Sequence, residues 1–289
     1  MAISSPTIKH TLQDARTRLA GTGDTARLDA EVLLAWALDC DRTYLHTWPE
    51  RELTPEQLQS FHRLVERRSS GEPVAYITGH REFWNMTLQV TPDTLIPRPE
   101  TELLVETVLE KIPVDARWNI ADLGTGSGAI ALAIACERPG CQVIATDNSA
   151  AALAIARENA RRLDIHNVHF IEGHWFQPIE HEQFEVIVSN PPYVHPHDPH
   201  LQEGDLRFEP MQALQSIPDG MRDLLIISNA ARSHLVHPGW LILEHGYDQG
   251  SAIKAQLVKM GYVDVSVKED LAQNERICLG KWDKALNSR

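Results

Sequence analysis

The chain has 289 residues, 43% hydrophobic and 23% charged, enough for one large domain or two smaller ones with ample core. Its net charge of −13 is uneven: residues 1–80 hold 9 Lys and Arg against 11 Asp and Glu, and residues 81–289 hold 18 against 29. A surface that grips long nucleic acid through its phosphates carries the opposite bias, so no stable nucleic-acid binding is expected.

Four cysteines (Cys40, Cys136, Cys141, Cys278) form no CxxC pair and have no histidines at zinc spacing, which suits a reducing compartment. Met1 to His10 contain no apolar leader core, and the longest apolar stretch, Gly128 to Cys136, is too short to span a bilayer. The expectation is a soluble, cytoplasmic protein with no membrane partner.

Residues 7–70 read as helices. Ile8, Leu12, Ala15 and Leu19 fall on one face, and Leu28, Val32, Ala35 and Trp36 on another. Thr54-Pro55-Glu56-Gln57 is a helix start, with Thr at the N-cap, Pro at the first position and Gln in the capping-box place; that helix runs to about Arg68 and stops near Gly71. Met86, Leu88 and Val90 then alternate with Thr87 and Gln89, the period of a strand or hairpin. After Leu95-Ile96-Pro97-Arg98-Pro99, Glu100 and Glu102 fall in the first turn of a helix through Leu104, Val105 and Val108.

From Trp118 the chain alternates strand and helix, as a parallel sheet covered on both faces requires. Strands are expected at 118–122, 142–146, 168–171, 184–189, 240–244, 262–267 and 275–280, and helices near 127–137, 149–163, 220–236 and 249–260. No internal repeat or low-complexity tract is present.

Asp122-Leu123-Gly124-Thr125-Gly126-Ser127-Gly128 closes the first of these strands and opens a helix, the context of a nucleotide-binding loop. Asp147 ends the next strand, where an acid can accept both ribose hydroxyls. Gly124, Gly126 and Ala129 fit a dehydrogenase fingerprint, so NAD competes; the G-x-G-x-G spacing through Gly128 resembles S-adenosylmethionine enzymes, with Asp122 near the methionine end. Trp175, in Gly173-His174-Trp175-Phe176, lies against an adenine or in the core.

The strand at 184–189 runs into Asn190-Pro191-Pro192-Tyr193. Two prolines without N–H groups stiffen the loop and hold the preceding carbonyls without ladder partners. Asn190 adds a side-chain carbonyl and Tyr193 an aromatic wall, which makes a slot for a planar –NH2 group. His195, His197 and His200 follow, but Pro192, Pro196 and Pro199 interrupt the run, so no metal site is expected.

With both motifs, the part from residue 98 resembles a class I S-adenosylmethionine-dependent methyltransferase, a Rossmann-like α/β fold with a mostly parallel seven-stranded sheet. Asn-Pro-Pro-Tyr is shared by enzymes of adenine N6, guanine N2 and the glutamine amide. Further motifs resemble the PrmC/HemK family across nearly the whole chain: Arg27-x-Asp29-Ala30-Glu31, Gly71-Glu72-Pro73, Arg81-Glu82-Phe83-Trp84, Ile96 to Glu102, Asp198 to Gln202, Arg207-Phe208-Glu209-Pro210 and Glu244-His245-Gly246. The resemblance implies a helical substrate-recognition domain at 1–78, a β-hairpin linker at 79–97 and a methyltransferase domain at 98–289. It implies N5-methylation of the glutamine in the Gly-Gly-Gln motif of peptide-chain release factors. The expected cofactor set is Gly124, Thr125, Gly126, Ser127, Gly128, Asp147, Trp175 and Asn190. Asn190, Pro191 and Tyr193 are the expected catalytic group and, with Pro192, bind substrate. His174 departs from the family, which carries an acid before the tryptophan. A nucleic-acid amino-methyltransferase, a NAD-dependent oxidoreductase and a non-catalytic module remain as alternatives.

Overall fold

The computed structural model describes residues 6–283. Those described residues divide into two compact units: one up to His80 that also takes in Pro199–Phe208, the other Arg81–Asp198 with Glu209 onward. The ends of the expected 1–78 and 98–289 spans, residues 1–5 and 284–289, lie outside the described residues.

The first unit is built from α1 (Ile8–Arg18), α2 (Ala26–Leu38), α3 (Arg42–Thr47), α4 (Pro55–Ser69) and α5 (Val74–Thr78). Thr54 and Gln57 close the capping box reciprocally at the start of α4. Ile8, Ala15 and Leu19 of α1 are buried as their spacing predicts. Of the face expected for α2, Ala35 is buried and Val32 half-buried, but the other two residues are not. Leu28 and Trp36 are exposed, whereas Ala30, Leu33 and Leu34 lie in the core with Phe61 and Val65 of α4. Apolar residues almost encircle α2, so periodicity alone leaves its orientation open, and two acids decide it. Buried Asp29 accepts from Arg68 Nε at 2.7 Å, and buried Glu31 accepts from Arg27 at 2.9 Å and Arg42 at 2.7 Å. A buried carboxylate without such partners would be costly, so the paired acids set which side of α2 turns inward. Asp205, from the returning segment, takes the other arm of Arg68 at 2.6 Å. Gly71 lies under Arg207; a Cβ there would sit 1.8 Å from the guanidinium.

The second unit opens with a hairpin of β1 (His80–Phe83) and β2 (Met86–Gln89); the division between units falls inside β1. Met86 and Leu88 are buried and Thr87 is exposed, as their alternation predicts. Then come α6 (Thr101–Leu109), β3 (Asn119–Leu123), α7 (Ala129–Glu137), β4 (Gln142–Asp147), α8 (Ala150–Arg162), β5 (Val168–Glu172), β6 (Phe184–Ser189), α9 (Arg222–His234), β7 (Leu235–Glu244), α10 (Gly250–Lys259), β8 (Val263–Glu269) and β9 (Glu275–Trp282). The strands β3 to β9 form a seven-stranded sheet in the order β5-β4-β3-β6-β7-β9-β8 among the described residues, with β9 antiparallel to both neighbours. Strand periodicity builds both cores. Ile120, Val186 and Val188 face α6 and α7, while Ala121, Ile187 and Leu241 face α9 and α10. β7 begins at Leu235, five residues before the expected start, and its pairing with β6 shifts register between Phe184 and Val186.

Candidate active site

Sheet register brings the functional loops together. Leu123 at the end of β3 pairs with Thr146 of β4 on one side and Ser189 of β6 on the other. The chain reverses its direction of sheet growth at β3, so the loops after β3, β4 and β6 open at one carboxyl edge. The Ser189 hydroxyl donates to Leu123 O at 2.6 Å and ties the two strand ends together.

A cleft open to solvent lies at that edge. Gly124, Gly126, Asp147, Trp175, Asn190 and Pro192 line it. Gly124 has φ +75°, and a Cβ there would meet Trp175 Cζ3 at 3.0 Å, so the glycine lets the indole lie against the loop. Gly126 N–H donates to Asp147 Oδ2 at 2.8 Å, and Ser149 N–H donates to Oδ1 at 2.9 Å. Acceptor capacity on the carboxylate is left for a ligand. Burial raises the Asp147 pKa, and these N–H groups work against that rise.

Thr125, Ser127 and Gly128 do not line the cleft; they shape its floor. Thr125 Oγ1 donates to Asp122 Oδ2 at 2.6 Å, Ser127 O accepts from Asn159 Nδ2 at 2.9 Å, and Gly128 caps α7 at φ +86°. Asp122, expected near a methionine end, is fully buried and spent on the loop itself, since Oδ2 also accepts Ala131 N–H at 3.2 Å. Burial, above all, pushes its pKa up to about 7.

Asn190 reaches the cleft with its amide oriented: Nδ2 donates to Thr101 Oγ1 at 3.3 Å, which leaves Oδ1 as the acceptor. Pro191 is buried and Pro192 lines the wall. Tyr193, expected as an aromatic wall, is placed differently. Its ring packs on the core beneath β6 and β7, and its hydroxyl donates to Glu244 Oε1 at 3.1 Å. A phenol that finds a buried carboxylate is held there rather than in the slot. Burial and that carboxylate raise the Tyr193 pKa well above the ordinary phenol value. His174 lines the cleft beside Trp175, with ring centroids 5.1 Å apart. Among the described residues no His, Cys, Asp or Glu group has the arrangement to hold a metal ion; His197 N–H donates to His195 Nδ1 at 3.1 Å.

Two family models match the chain, a PrmC N-terminal domain over residues 10–79 and a methyltransferase small domain over residues 99–205. The release factor glutamine methyltransferase of Escherichia coli K12 is 46% identical over 274 residues, 95% of this chain and 98% of its own. That of Xylella fastidiosa Temecula1 is 51% identical over 262 residues, 91% and 95% of the two chains. The chain belongs to the release factor glutamine methyltransferase family. Its fold is likewise that of a solved methyltransferase from Pyrococcus furiosus (TM-score 0.54, 18% identity, 75% of this chain and 97% of that one).

The cofactor of the release factor glutamine methyltransferases, S-adenosylmethionine, fits the residues present. Trp175 Nε1 is buried without a partner, the indole seats where only glycine permits it, and Asp147 keeps free acceptor positions at the strand edge. Three residues outside the expected site complete its frame. Glu209 accepts from Ile96 N–H at 3.0 Å and pairs with Arg98, beside the cleft-lining Asp93, Thr94 and Leu95. Asn159 joins Gln89 of β2 to the glycine loop, and Glu244 holds Tyr193. Glu209 and Glu244 lie inside motifs quoted from the sequence. Asn159 had no such signal beyond being an amide on an otherwise apolar helix face.

Proposed function

We propose that this enzyme transfers a methyl group from S-adenosylmethionine to the side-chain amide nitrogen of the Gly-Gly-Gln glutamine of peptide-chain release factors. The observation that carries the reading is the placement of Asn190 and Pro192 in one cleft with Gly124, Asp147 and Trp175. Asp147 then accepts ribose hydroxyls, Trp175 lies against adenine, and the glycine loop passes under the ligand, with Thr125, Ser127 and Gly128 holding its shape.

An amide nitrogen is a poor nucleophile because its lone pair is delocalised into the carbonyl. Asn190 Oδ1 and the Pro191 carbonyl each accept one N–H of the target amide, which fixes the nitrogen and favours the positive charge that develops on it. Held by the glycine loop, Asp147 and Trp175, the cofactor would supply an electrophilic sulfonium methyl, and the target nitrogen, on gaining it, would give up one proton to water. Pro192 walls the slot, and Tyr193 secures its far end through Glu244. No general base is required before transfer, because the methylated nitrogen is far more acidic than the amide.

Solution in the cytoplasm is part of the same reading. Four free cysteines support it, and no helix among the described residues is long and apolar enough to cross a membrane. The −13 charge argues against a nucleic-acid substrate. The test is Asn190→Ala. Its kcat should fall about a hundredfold or more, while S-adenosylhomocysteine binds within a fewfold of wild type by calorimetry. Lost cofactor affinity with unchanged turnover at saturation would contradict the assignment, and binding of NADH alone would favour the oxidoreductase.

A further inference from the structure

Gln249 stands immediately before α10, half-buried, and does not line the cleft. Its side-chain amide meets three stretches of backbone. Oε1 accepts Gly246 N–H at 2.9 Å, in the turn after β7. Nε2 donates to Tyr193 O at 3.0 Å and to Gly220 O at 3.3 Å, ahead of α9. Among the described residues no other group hydrogen-bonds to any of those three. An amide accepts at one end and donates twice at the other, so one side chain satisfies all three in a single orientation. Gly220 has φ +78°, and a Cβ there would lie 2.6 Å from Tyr193 O and 2.9 Å from Gln249 Nε2. Only glycine lets that segment close on the amide.

From these contacts we propose that Gln249 is a positioning residue of the methyl-transfer site. Its amide clamps the outgoing end of the Asn190–Tyr193 loop and so sets where the Pro191 carbonyl stands. The proposal rests on the role given to that carbonyl above and adds what fixes it. The incoming end of the loop is held by the register of β6 and by the Ser189 hydroxyl on Leu123 O. Between the two ends, Pro191 and Pro192 each lock their φ. So stiff a segment passes a shift at Tyr193 O back to the Pro191 carbonyl instead of absorbing it. Glu244 holds the Tyr193 side chain but leaves its carbonyl free to turn; Gln249 removes that freedom. Just beyond, Val194 N–H donates to Leu214 O at 2.9 Å, and Ser216 N–H donates to Val194 O at 3.1 Å.

Three substitutions separate the clamp from its surroundings. Gln249→Glu keeps the size and the acceptor for Gly246 N–H, but turns an oxygen toward two carbonyl oxygens. Gln249→Met keeps the length and removes every polar contact. Gly220→Ala drives a methyl group into the same point from the opposite side.

The experiment uses the full chain. Calorimetry with S-adenosylhomocysteine counts the folded sites, and release-factor methylation is read per site. Gln249→Glu and Gln249→Met should lower kcat per site about 10–100-fold, with the release-factor KM and the S-adenosylhomocysteine affinity within twofold of wild type. Gly220→Ala combined with Gln249→Met should be no worse than the poorer single variant, because both break one clamp. Independently of any substrate, hydrogen exchange at Val194 N–H should quicken at least fivefold in both Gln249 variants. Leu132 N–H of α7, held on Gly128 O at 2.9 Å, should keep its wild-type rate. Absent wild-type turnover would count against the reaction assigned above, and the exchange rates would still decide the clamp. Unchanged kcat per site, additive losses, or cofactor affinity falling in step with kcat would overturn the proposal. So would Val194 exchange that stays unchanged or rises together with that of Leu132.

Discussion

Asp122 shows at the scale of one residue how a nucleotide loop is kept in shape. It stands where a carboxylate could meet a ligand, yet Oδ2 is fully used by Thr125 and Ala131, and Oδ1 is buried with no partner. Its pKa, raised from 3.8 to about 7, gives a pH dependence with a definite sign. Between those two values the folded protein holds more protons than the unfolded chain, so this group's contribution favours folding below about pH 4 and is lost as pH rises through 7. In Asp122→Asn the amide oxygen can still accept from Thr125 and Ala131, and no proton is taken up. The variant should therefore lose less Tm than wild type between pH 5 and pH 8, read by thermal denaturation in matched buffers. An identical fall in both proteins would show that Asp122 does not titrate in that range.

Among elements, the joint between the hairpin and the glycine loop has the most to test. Asn159 of α8 is 1% exposed; its Oδ1 accepts Gln89 N–H at 2.7 Å, and its Nδ2 donates to Gln89 O at 3.0 Å and Ser127 O at 2.9 Å. Truncation leaves buried backbone groups unpaired, so Asn159→Ala should cost about 2–4 kcal/mol by urea denaturation. It should also weaken S-adenosylhomocysteine binding, because Ser127 is released; a variant with wild-type stability would refute the joint. Elements with strong local signals were legible in the sequence. The strands at β3 to β6 fall within a residue or so of expectation because their apolar runs stop at glycine, aspartate or the Asn190-Pro191 pair, and the α4 start is written in Thr54-Pro55 and Gln57. What depends on distant partners was not legible. The buried side of α2 is decided by Arg68, thirty-nine residues beyond Asp29, and the seat of Tyr193 by Glu244, fifty-one residues on. The helix α5 escaped because five residues, three of them β-branched, carry no helical period; Pro73 and the left-handed Gly79 bound it instead.

For the whole molecule, the family assignment explains why motifs scattered over 200 residues occur together. Arg27 to Glu31, Gly71 to Pro73 and Arg207 are the ion pairs and close approach of the helical unit, whereas Ile96 to Glu102 and Glu209 meet through Arg98 in the other. The glycine loop and the Asn190-Pro191-Pro192 turn were readable as loops at strand ends because each has its own turn chemistry, and Gly124, Gly126, Asn190 and Pro192 line one cleft. Glu244, which holds the Tyr193 hydroxyl, and Asn159, which holds Ser127, were not readable as such, since their contacts exist only once the sheet is assembled. The central claim is chemical and can be met directly. Purified enzyme is incubated with S-adenosylmethionine labelled at the methyl group and with a release factor, beside a copy whose Gly-Gly-Gln glutamine is replaced by alanine. The account predicts label on the first protein and none on the second; label on both, or on neither while S-adenosylhomocysteine still binds, would contradict it.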